Sequence, residues 1–262
     1  MKWHKDAEEA IMKVPFFVRK KVRLRVEKEA VDKGNKVVTL IDVKTTRKNF
    51  LKKMDSDITG YKIETCFGKG GCPNKIVQSE TLEKKLNKIF IEAELLSFLR
   101  KNVSGQLKYH HEFRVALADC PNACSQPQIK DIGIIGASKP DITQKECSLC
   151  FECVEGCKEN AITFNEKADH PNINYNLCLN CKECVNVCPV GTLTEIKNGY
   201  TVLLGGKLGR HPRLARHIPG IKSEDQVIEI VKNCLKFYKN KSTNGKRFAT
   251  ILTDKEFKNL KI

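Results

Sequence analysis

Twelve of the thirteen cysteines fall into three patterns whose spacing suits metal binding. Two are compact C-x2-C-x2-C-x3-C runs, at Cys147, Cys150, Cys153 and Cys157, and at Cys178, Cys181, Cys184 and Cys188. The third is split, with a C-x5-C pair, Cys66 and Cys72, and a C-x3-C pair, Cys120 and Cys124. Iron-sulfur clusters need four converging thiolates, and closely spaced cysteines on one loop deliver several of them together. The spacing therefore predicts cluster chemistry.

The two compact runs resemble those of two-cluster ferredoxins. There the fourth cysteine of each run binds the other cluster, which implies a first set (Cys147, Cys150, Cys153, Cys188) and a second set (Cys178, Cys181, Cys184, Cys157). Pro189 follows Cys188 as in that pattern, whereas Lys158 replaces the proline after Cys157. Disulfides and structural zinc are the alternatives, but the doubled spacing favours two 4Fe-4S clusters.

The rest of the composition bears on compartment and partners. No signal peptide opens the chain, and no apolar run approaches the ~18 residues that a membrane span needs. Together with cysteines arranged for metals, this predicts a cytoplasmic protein. The net charge of +16 suggests nucleic acid, but each four-iron cube carries about −2, which offsets part of it. The few aromatic residues are not interleaved with the basic runs, so nucleic acid binding is not expected.

Hydrophobic periodicity places these motifs on alternating strands and helices. We expect helical structure over 7–33 with a new start at Pro15, a strand at 37–43 and a helix at 45–55. Strands at 61–65 and 113–118 run into Cys66 and Cys120, with one long helix at 79–101 between them. Such an α/β unit puts both cysteine pairs at the same end of a sheet. After the compact runs we expect a strand at 200–204, a helix at 223–240, a strand at 247–253 and a short terminal helix.

Cys234 is the cysteine left over. It shares an apolar stripe with Val227, Ile230, Val231 and Tyr238, so we expect a buried, inert thiol.

The split motif resembles the cluster site of the sirohaem-dependent sulfite and nitrite reductases. Three further stretches share the resemblance: Cys120-Pro121-Asn122-Ala123-Cys124, residues 131–136 (DIGIIG) and residues 202–207 (VLLGGK). The doubled ferredoxin between them is similar to that of anaerobic and dissimilatory sulfite reductase subunits. The implied fold is α+β: a small helical N-terminal domain (1–50), a reductase domain (55–140 and 197–262) and an inserted bacterial-type ferredoxin domain (141–196).

The resemblance implies a function and its cofactors. Cys66, Cys72, Cys120 and Cys124, the split set, would bind a third 4Fe-4S cube, and Cys124 would bridge it to the sirohaem iron. The implied activity is six-electron reduction of sulfite to sulfide, with electrons from a low-potential ferredoxin or flavoprotein passing through the two ferredoxin clusters. Nitrite reduction and a non-catalytic three-cluster electron carrier are the alternatives. Because the family holds sirohaem between two pseudo-symmetric halves, a second copy or another subunit, in a homo- or hetero-oligomer, or else the N-terminal segment would complete the pocket.

The resemblance also implies binding residues. Where the family has a Lys-x-Lys pair, this chain has Glu112-Phe113-Arg114, so Arg114 would bind substrate while Glu112 would repel it. His111, with His110 and Lys108, would compensate. Asn122, Cys124, Lys207 and Arg210 would bind the cofactor, whose roughly eight carboxylates suit cations. An ordinary strand arginine and a basic surface turn are the alternatives.

Two other stretches complete the interpretation. Glycines in residues 68–71 would let backbone N–H groups approach the cube's sulfides. The N-terminal segment, with Trp3, Ala10, residues 14–19 (VPFFVR), Val26, Glu27 and Ala30, resembles the small helical domain of light-independent protochlorophyllide reductase. This resemblance implies docking or covering of a tetrapyrrole.

Overall fold

The computed structural model describes residues 1–167 and 169–260, with every side chain in these ranges except that of Lys69. The last two residues predicted for the reductase domain, 261 and 262, lie outside the described residues, as does residue 168 of the predicted ferredoxin domain. The chain forms two units, of which unit 1 comprises Met1–Ile58 and Val103–Tyr109. Unit 2 comprises Thr59–Asn102 and the chain from His110 onward.

Unit 1 is three helices with a two-stranded parallel sheet. Its elements are β1 (Lys2–Trp3), α1 (Lys5–Met12), α2 (Phe16–Asp32), β2 (Val37–Val38) and α3 (Leu40–Asp57). Ala7, Val26, Ala30 and Val38 form its buried core. The predicted helix start at Pro15 is confirmed, because Pro15 is the N-cap of α2. The predicted strand at 37–43 is wrong beyond Val38: Thr39 and Asp42 form a capping box that starts α3.

Unit 2 is built on a five-stranded sheet. Its elements are β3 (Tyr61–Thr65), α4 (Glu80–Glu92), α5 (Leu95–Asn102), β4 (Phe113–Ala118), β5 (Ile132–Ile142), α6 (Glu152–Glu155), β6 (Ile162–Asn165), β7 (His170–Ile173), α7 (Glu183–Val187), β8 (Leu193–Leu204), β9 (Arg216–Lys222), α8 (Glu224–Lys241), α9 (Phe248–Ile251) and α10 (Asp254–Asn259). The sheet order is β3-β4-β5-β8-β9. The first three strands are parallel, and β8 and β9 are antiparallel to their neighbours.

One face of this sheet carries the main hydrophobic core. Leu82, Leu86 and Phe90 of α4 pack there with the apolar side of α8. Phe113 of β4 contacts the rings of Phe90, Tyr238 and Phe248, with centroid distances of 5.2–5.7 Å. Cys234 lies fully buried in this core, as predicted, and burial raises the pKa of its thiol. This face is therefore a packing face.

Two predictions for unit 2 fail at particular residues. The single helix expected at 79–101 is two, α4 and α5, because Glu94 adopts a left-handed conformation with φ 46°. The strand expected at 247–253 is instead the short helix α9, whose Phe248 and Ala249 are buried. A short apolar run does not distinguish a strand from a buried helical turn. The strand expected at 200–204 is the second half of the longer β8.

Both compact cysteine runs lie between β5 and β8. This segment contains the β6–β7 hairpin, α6 and α7, and a small core of Cys153, Ile162, Ile173, Cys184 and Leu193. Among the helices of the described residues, none is long and apolar enough to cross a membrane.

Candidate functional site

The split set comes together at one end of the sheet. β3 and β4 are parallel and in register from Tyr61↔Phe113 to Thr65↔Leu117, so Cys66 and Cys120 leave the sheet at the same end, as expected. Burial raises the pKa of the Cys120 thiol, and the nearby Cys72, Cys66 and Cys124 raise it further. Cys120 is buried, whereas Cys124 is exposed. One loop thus presents one sulfur inward and one outward.

Backbone amides surround these sulfurs. Cys66 Sγ accepts hydrogen bonds from the N–H groups of Gly68 (3.4 Å) and Asp119 (3.3 Å). The N–H of Asn122 donates to Cys120 and opposes the rise of its pKa. A Cβ on Gly68 would come within 1.8 Å of the Asp119 carboxylate, so a larger residue there would require that side chain to move. Amide hydrogen bonds of this kind stabilise and tune iron-bound sulfur, so the split set fits a cluster.

In each compact run, three cysteines lie near the fourth cysteine of the other run. Burial raises the pKa of Cys153, and the nearby Cys147, Cys150 and Cys188, the rest of the first set, raise it further. Burial also raises the pKa of Cys184 to about 12, and its neighbours include Cys181, Cys178 and Cys157, the rest of the second set. The four cysteines of the first set line one cavity, together with Phe151 and Phe164.

All thirteen cysteines are free thiols in the structure. In the described part of the chain, no three His, Cys, Asp or Glu side chains converge as they would around a single metal ion. Backbone N–H groups also donate to Cys157, Cys178 and Cys188.

The sheet face opposite the main core carries charged residues at the start of β3 and β4. Because Phe113 and Val115 point into the core, strand alternation puts Arg114 on the other face, beside Lys62 and Glu64 of β3. Lys130 pairs with Glu64 there. Burial alone would raise the pKa of Glu64, but Lys130, Lys62 and Arg114 together lower it. We call this surface the cation face, because three cations surround one carboxylate.

Arg114 is held by its main chain as well. Its N–H donates to Asp131 Oδ2 at 2.9 Å, and Asp131 is buried beside Arg247. Burial raises the pKa of Asp131, and the charge of Arg247 opposes this. The Arg114 side chain itself is half-buried. These contacts fix the start of β4, and with it the face on which Arg114 lies.

Glu112 and His111 lie before β4 and hence at the end of the strand away from the cysteines. Glu112 is buried and accepts hydrogen bonds from the N–H (3.2 Å) and Oγ1 (3.3 Å) of Thr59. These hydrogen bonds anchor the residues that lead into β3. His111 packs against His110, with ring centroids 4.3 Å apart. Nine residues separate His111 from Cys120, about 30 Å of extended strand, so the structure does not bring His111 to Cys124.

The predicted cofactor-binding residues lie on two loops. Asn122 and Cys124 are both exposed on the loop after β4, where the buried Ala123 has a positive φ of 51°. Lys207 and Arg210 follow β8 at the Arg114 end of the sheet, where Lys207 is half-buried and Arg210 exposed. Arg213 donates to Gly205 O and Ala249 O, and Arg216 pairs with Asp254. These two arginines are thus occupied in holding α9 and α10.

Sequence reasoning missed Lys62 and Lys130. Lys62 could have been found from the sequence, because it lies between the apolar Tyr61 and Ile63 of the predicted strand and so points to the opposite face. The strand pairing then puts it beside Arg114. Lys130 had no such signal, because it follows a loop and reaches Glu64 only through the tertiary fold.

Comparison with known proteins identifies the family. Residues 59–261 match the family described as nitrite and sulphite reductase 4Fe-4S domain. Residues 3–47 match the proto-chlorophyllide reductase 57 kD subunit. The chain is 33% identical over 177 residues to coenzyme F420-dependent sulfite reductase of Methanocaldococcus jannaschii, covering 66% of this chain and 25% of that protein. It is 25% identical over 122 residues to a subunit of the anaerobic sulfite reductase of Salmonella typhimurium, covering 47% of this chain and 30% of that protein.

The chain therefore spans about a quarter to a third of the length of these two relatives. Among solved structures, dissimilatory sulfite reductase I aligns over 81% of this chain and 56% of that chain, with a TM-score of 0.53 and 17% identity. At that identity the likeness concerns the fold. The family match covers most of the chain, including the split set and both compact runs. This protein belongs to the nitrite and sulphite reductase 4Fe-4S domain family.

Proposed function

We propose that this protein is a sirohaem and iron-sulfur sulfite reductase, or the catalytic subunit of one, that reduces sulfite to sulfide by six electrons. One observation carries the proposal: the split set gathers at one sheet end and exposes Cys124. Cys150 and Cys181 of the compact sets are exposed as well, so the split spacing of this set, and not exposure alone, distinguishes it from the clusters of an electron carrier. Family membership and the names of the two sulfite reductase relatives support the same activity.

We assign the cofactors to the residues that the family resemblance implies. The first, second and split sets would each hold a 4Fe-4S cube, and Cys124 would also hold the sirohaem iron. Asn122, Lys207 and Arg210 would contact the sirohaem. When bound, these groups supply low-potential electrons and an iron site for the oxyanion. Three cubes and sirohaem would add about −14, close to the opposite of the +16 of the chain.

The cation face would attract and orient the substrate. Arg114 presents a guanidinium fork that suits an oxyanion, and Lys62 adds a second positive charge beside it. Lys130 and Lys62 both pair with Glu64, at 3.5 Å for Lys62, and together with Arg114 the three cations leave the face net positive. A lysine ammonium at such a site donates a proton as an oxygen atom departs as water.

The remaining assignments concern the whole assembly. We assign 1–50 to a small helical domain, 55–140 and 197–262 to the reductase domain and 141–196 to the ferredoxin domain. A low-potential ferredoxin or flavoprotein would donate electrons to the ferredoxin domain, and a second copy or another subunit would complete the sirohaem pocket. A docking or tetrapyrrole-covering role for the N-terminal domain rests on its match to the protochlorophyllide reductase subunit.

The visible spectrum of the anaerobically purified protein is the first test. Sirohaem gives sharp bands, whereas clusters alone absorb broadly, so sharp bands would support the reductase and their absence would support a three-cluster electron carrier. Turnover with reduced viologen then compares sulfite with nitrite. A higher kcat/KM for sulfite is expected, while a clear preference for nitrite would reassign the substrate within the family.

A further inference from the structure

The edge of β5 next to β4 continues past the end of β4. Pairing between the two strands stops at Ala118↔Ile135. On its other edge β5 stays paired with β8 as far as Ile142↔Leu193. Residues 136–142 therefore have one edge that no strand of the sheet occupies.

The loop of the second set occupies this edge. Ser138 forms an isolated parallel bridge with Cys181, and its N–H donates to Asn180 O at 2.8 Å. Ser138 lies three residues beyond Ile135, so Cys181 lies about 10 Å along the sheet from the end of β4. Cys120 leaves β4 two residues after Ala118 at that same end. The fold thus places the second set next to the split set.

Side chains lock this arrangement. Glu195 of β8 accepts hydrogen bonds from Ser138 Oγ and Asn198 and pairs with Lys182 at 3.3 Å. Burial alone would raise the pKa of Glu195, but these partners lower it, which keeps the carboxylate charged. Tyr175 also donates to Asp141 at 3.0 Å. Residues 175–182, which include Cys178 and Cys181 of the second set, are therefore bound to both β5 and β8.

The first set is anchored farther from the end of β4 than the second set. Thr143 N–H donates to Thr192 O at 2.7 Å, and Thr192 Oγ1 donates to Glu146 O at 3.0 Å. Ile142 is four residues after Ser138, which is about 13 Å farther along β5. The contacts of the first set lie beyond Ile142. Of the two compact sets, the first is thus the more remote from Cys120.

We propose that the segment 175–184 holds the proximal relay of this protein, and that Ser138 and Glu195 are its positioning residues. The second set would deliver each electron to the split set, and the first set would receive electrons from the external low-potential donor. In each step one reduced cube loses an electron and its oxidised neighbour gains it, so no bond forms or breaks. This order rests on the proposed function only in taking the split set as the final cube.

Magnetic coupling between neighbouring reduced cubes tests the order without using activity. Cys181→Ser and Cys150→Ser are matched changes, because both residues are exposed and each is the second cysteine of its run. The full-length protein would be reduced with dithionite, and the split-set signal recorded by EPR. We expect Cys181→Ser to shift or abolish the interaction on that signal and Cys150→Ser to leave it unchanged. The reverse result would overturn the order, as would equal effects of both changes.

The positioning role of Ser138 and Glu195 is tested with variants that leave every cysteine unchanged. In Ser138→Ala and Glu195→Gln we expect the iron content of wild type but a weaker interaction on the split-set signal. Thr192→Val, which removes the matching hydroxyl beside the first set, should leave the signal unchanged. Wild-type coupling in both variants would refute the role. The magnetic coupling between cubes does not require sirohaem. It therefore remains measurable even if the visible spectrum shows no sirohaem and the proposed function fails.

Discussion

The same side chain has different chemistry at different positions of this chain. Cys234 is fully buried in the main core. At Cys188 burial also acts to raise the pKa, yet the N–H groups of Leu193, Val190, Gly191 and Thr192 lower it overall. Cys124 is exposed on a tight turn. The surroundings thus distinguish the cysteines of the proposed clusters from Cys234, although the residue type is the same.

Cys124→Ser tests the bridging role. We expect sulfite reduction to fall more than about 100-fold, because even outer contacts to a metal ligand affect activity 10–100-fold. Turnover with reduced viologen measures the loss, and the visible spectrum shows whether sirohaem remains. Cys234→Ala is the control, and it should cost about 1–2 kcal/mol of stability while leaving turnover near wild type. A fully active Cys124→Ser enzyme would refute the proposed function.

Arg114→Ala tests the cation face. A charge-assisted hydrogen bond contributes about 1.5–3 kcal/mol, so we expect KM for sulfite to rise about tenfold or more, with a smaller change in kcat. Arg114→Lys should recover part of the loss, since it keeps the charge but not the fork. Steady-state kinetics and melting curves measure both. If the melting temperature falls while KM stays constant, Arg114 has only a structural role beside Asp131.

At the scale of elements, the break between α4 and α5 depends on one residue. Glu94 has φ 46°, a conformation that costs a non-glycine residue about 1 kcal/mol. We expect Glu94→Gly to raise the melting temperature by about 2–4 °C. Glu92→Gly, at the exposed end of α4, should lower it, because glycine weakens a right-handed helix. Equal destabilisation by both changes would show that the turn at Glu94 is not strained.

The capping box of α3 predicts a pH dependence for unit 1. Burial acts to raise the pKa of Asp42, but hydrogen bonds from Thr39 and Asn35 and the charge of Lys33 lower it below 3.8. A carboxylate with a lowered folded pKa stabilises the fold above its ordinary pKa, and that stability is lost as pH falls through the folded value. Asp42→Asn should therefore cost about 1–2 kcal/mol at pH 7, and much less below pH ~3.

Trp3 reports the unfolding of unit 1, because it is the single tryptophan of the chain and lies in that unit. Its Nε1 donates a hydrogen bond to Glu27 at 2.7 Å. Urea unfolding followed by Trp3 fluorescence at several pH values gives the difference between variant and wild type. A difference that stays constant from pH 7 to pH 3 would contradict the assignment.

At the scale of the molecule, we expect the segment between β5 and β8 to depend on its proposed clusters. Its core of five buried residues includes Cys153 and Cys184, two of the predicted ligands, and so small a core does not support independent folding. After anaerobic removal of iron we expect amide exchange in residues 143–192 to accelerate at least about tenfold, while α8 in the main core keeps its protection. Unchanged exchange in 143–192 would show that the segment folds without clusters.

The sequence by itself predicted which cysteines would bind clusters, because cysteine spacing along a loop limits which sulfurs can converge on one cube. It also determined β3, β4 and α8, whose apolar periodicity matches their burial. Tertiary structure decided the rest. Arg114 lies on the cation face because its neighbour Phe113 packs into the core. Glu112 accepts hydrogen bonds from Thr59. Lys130 pairs with Glu64 from a loop that is distant in the sequence. The neighbours of the second set were decided in the same way, because Cys181 pairs with an edge of β5 that becomes open only where β4 ends.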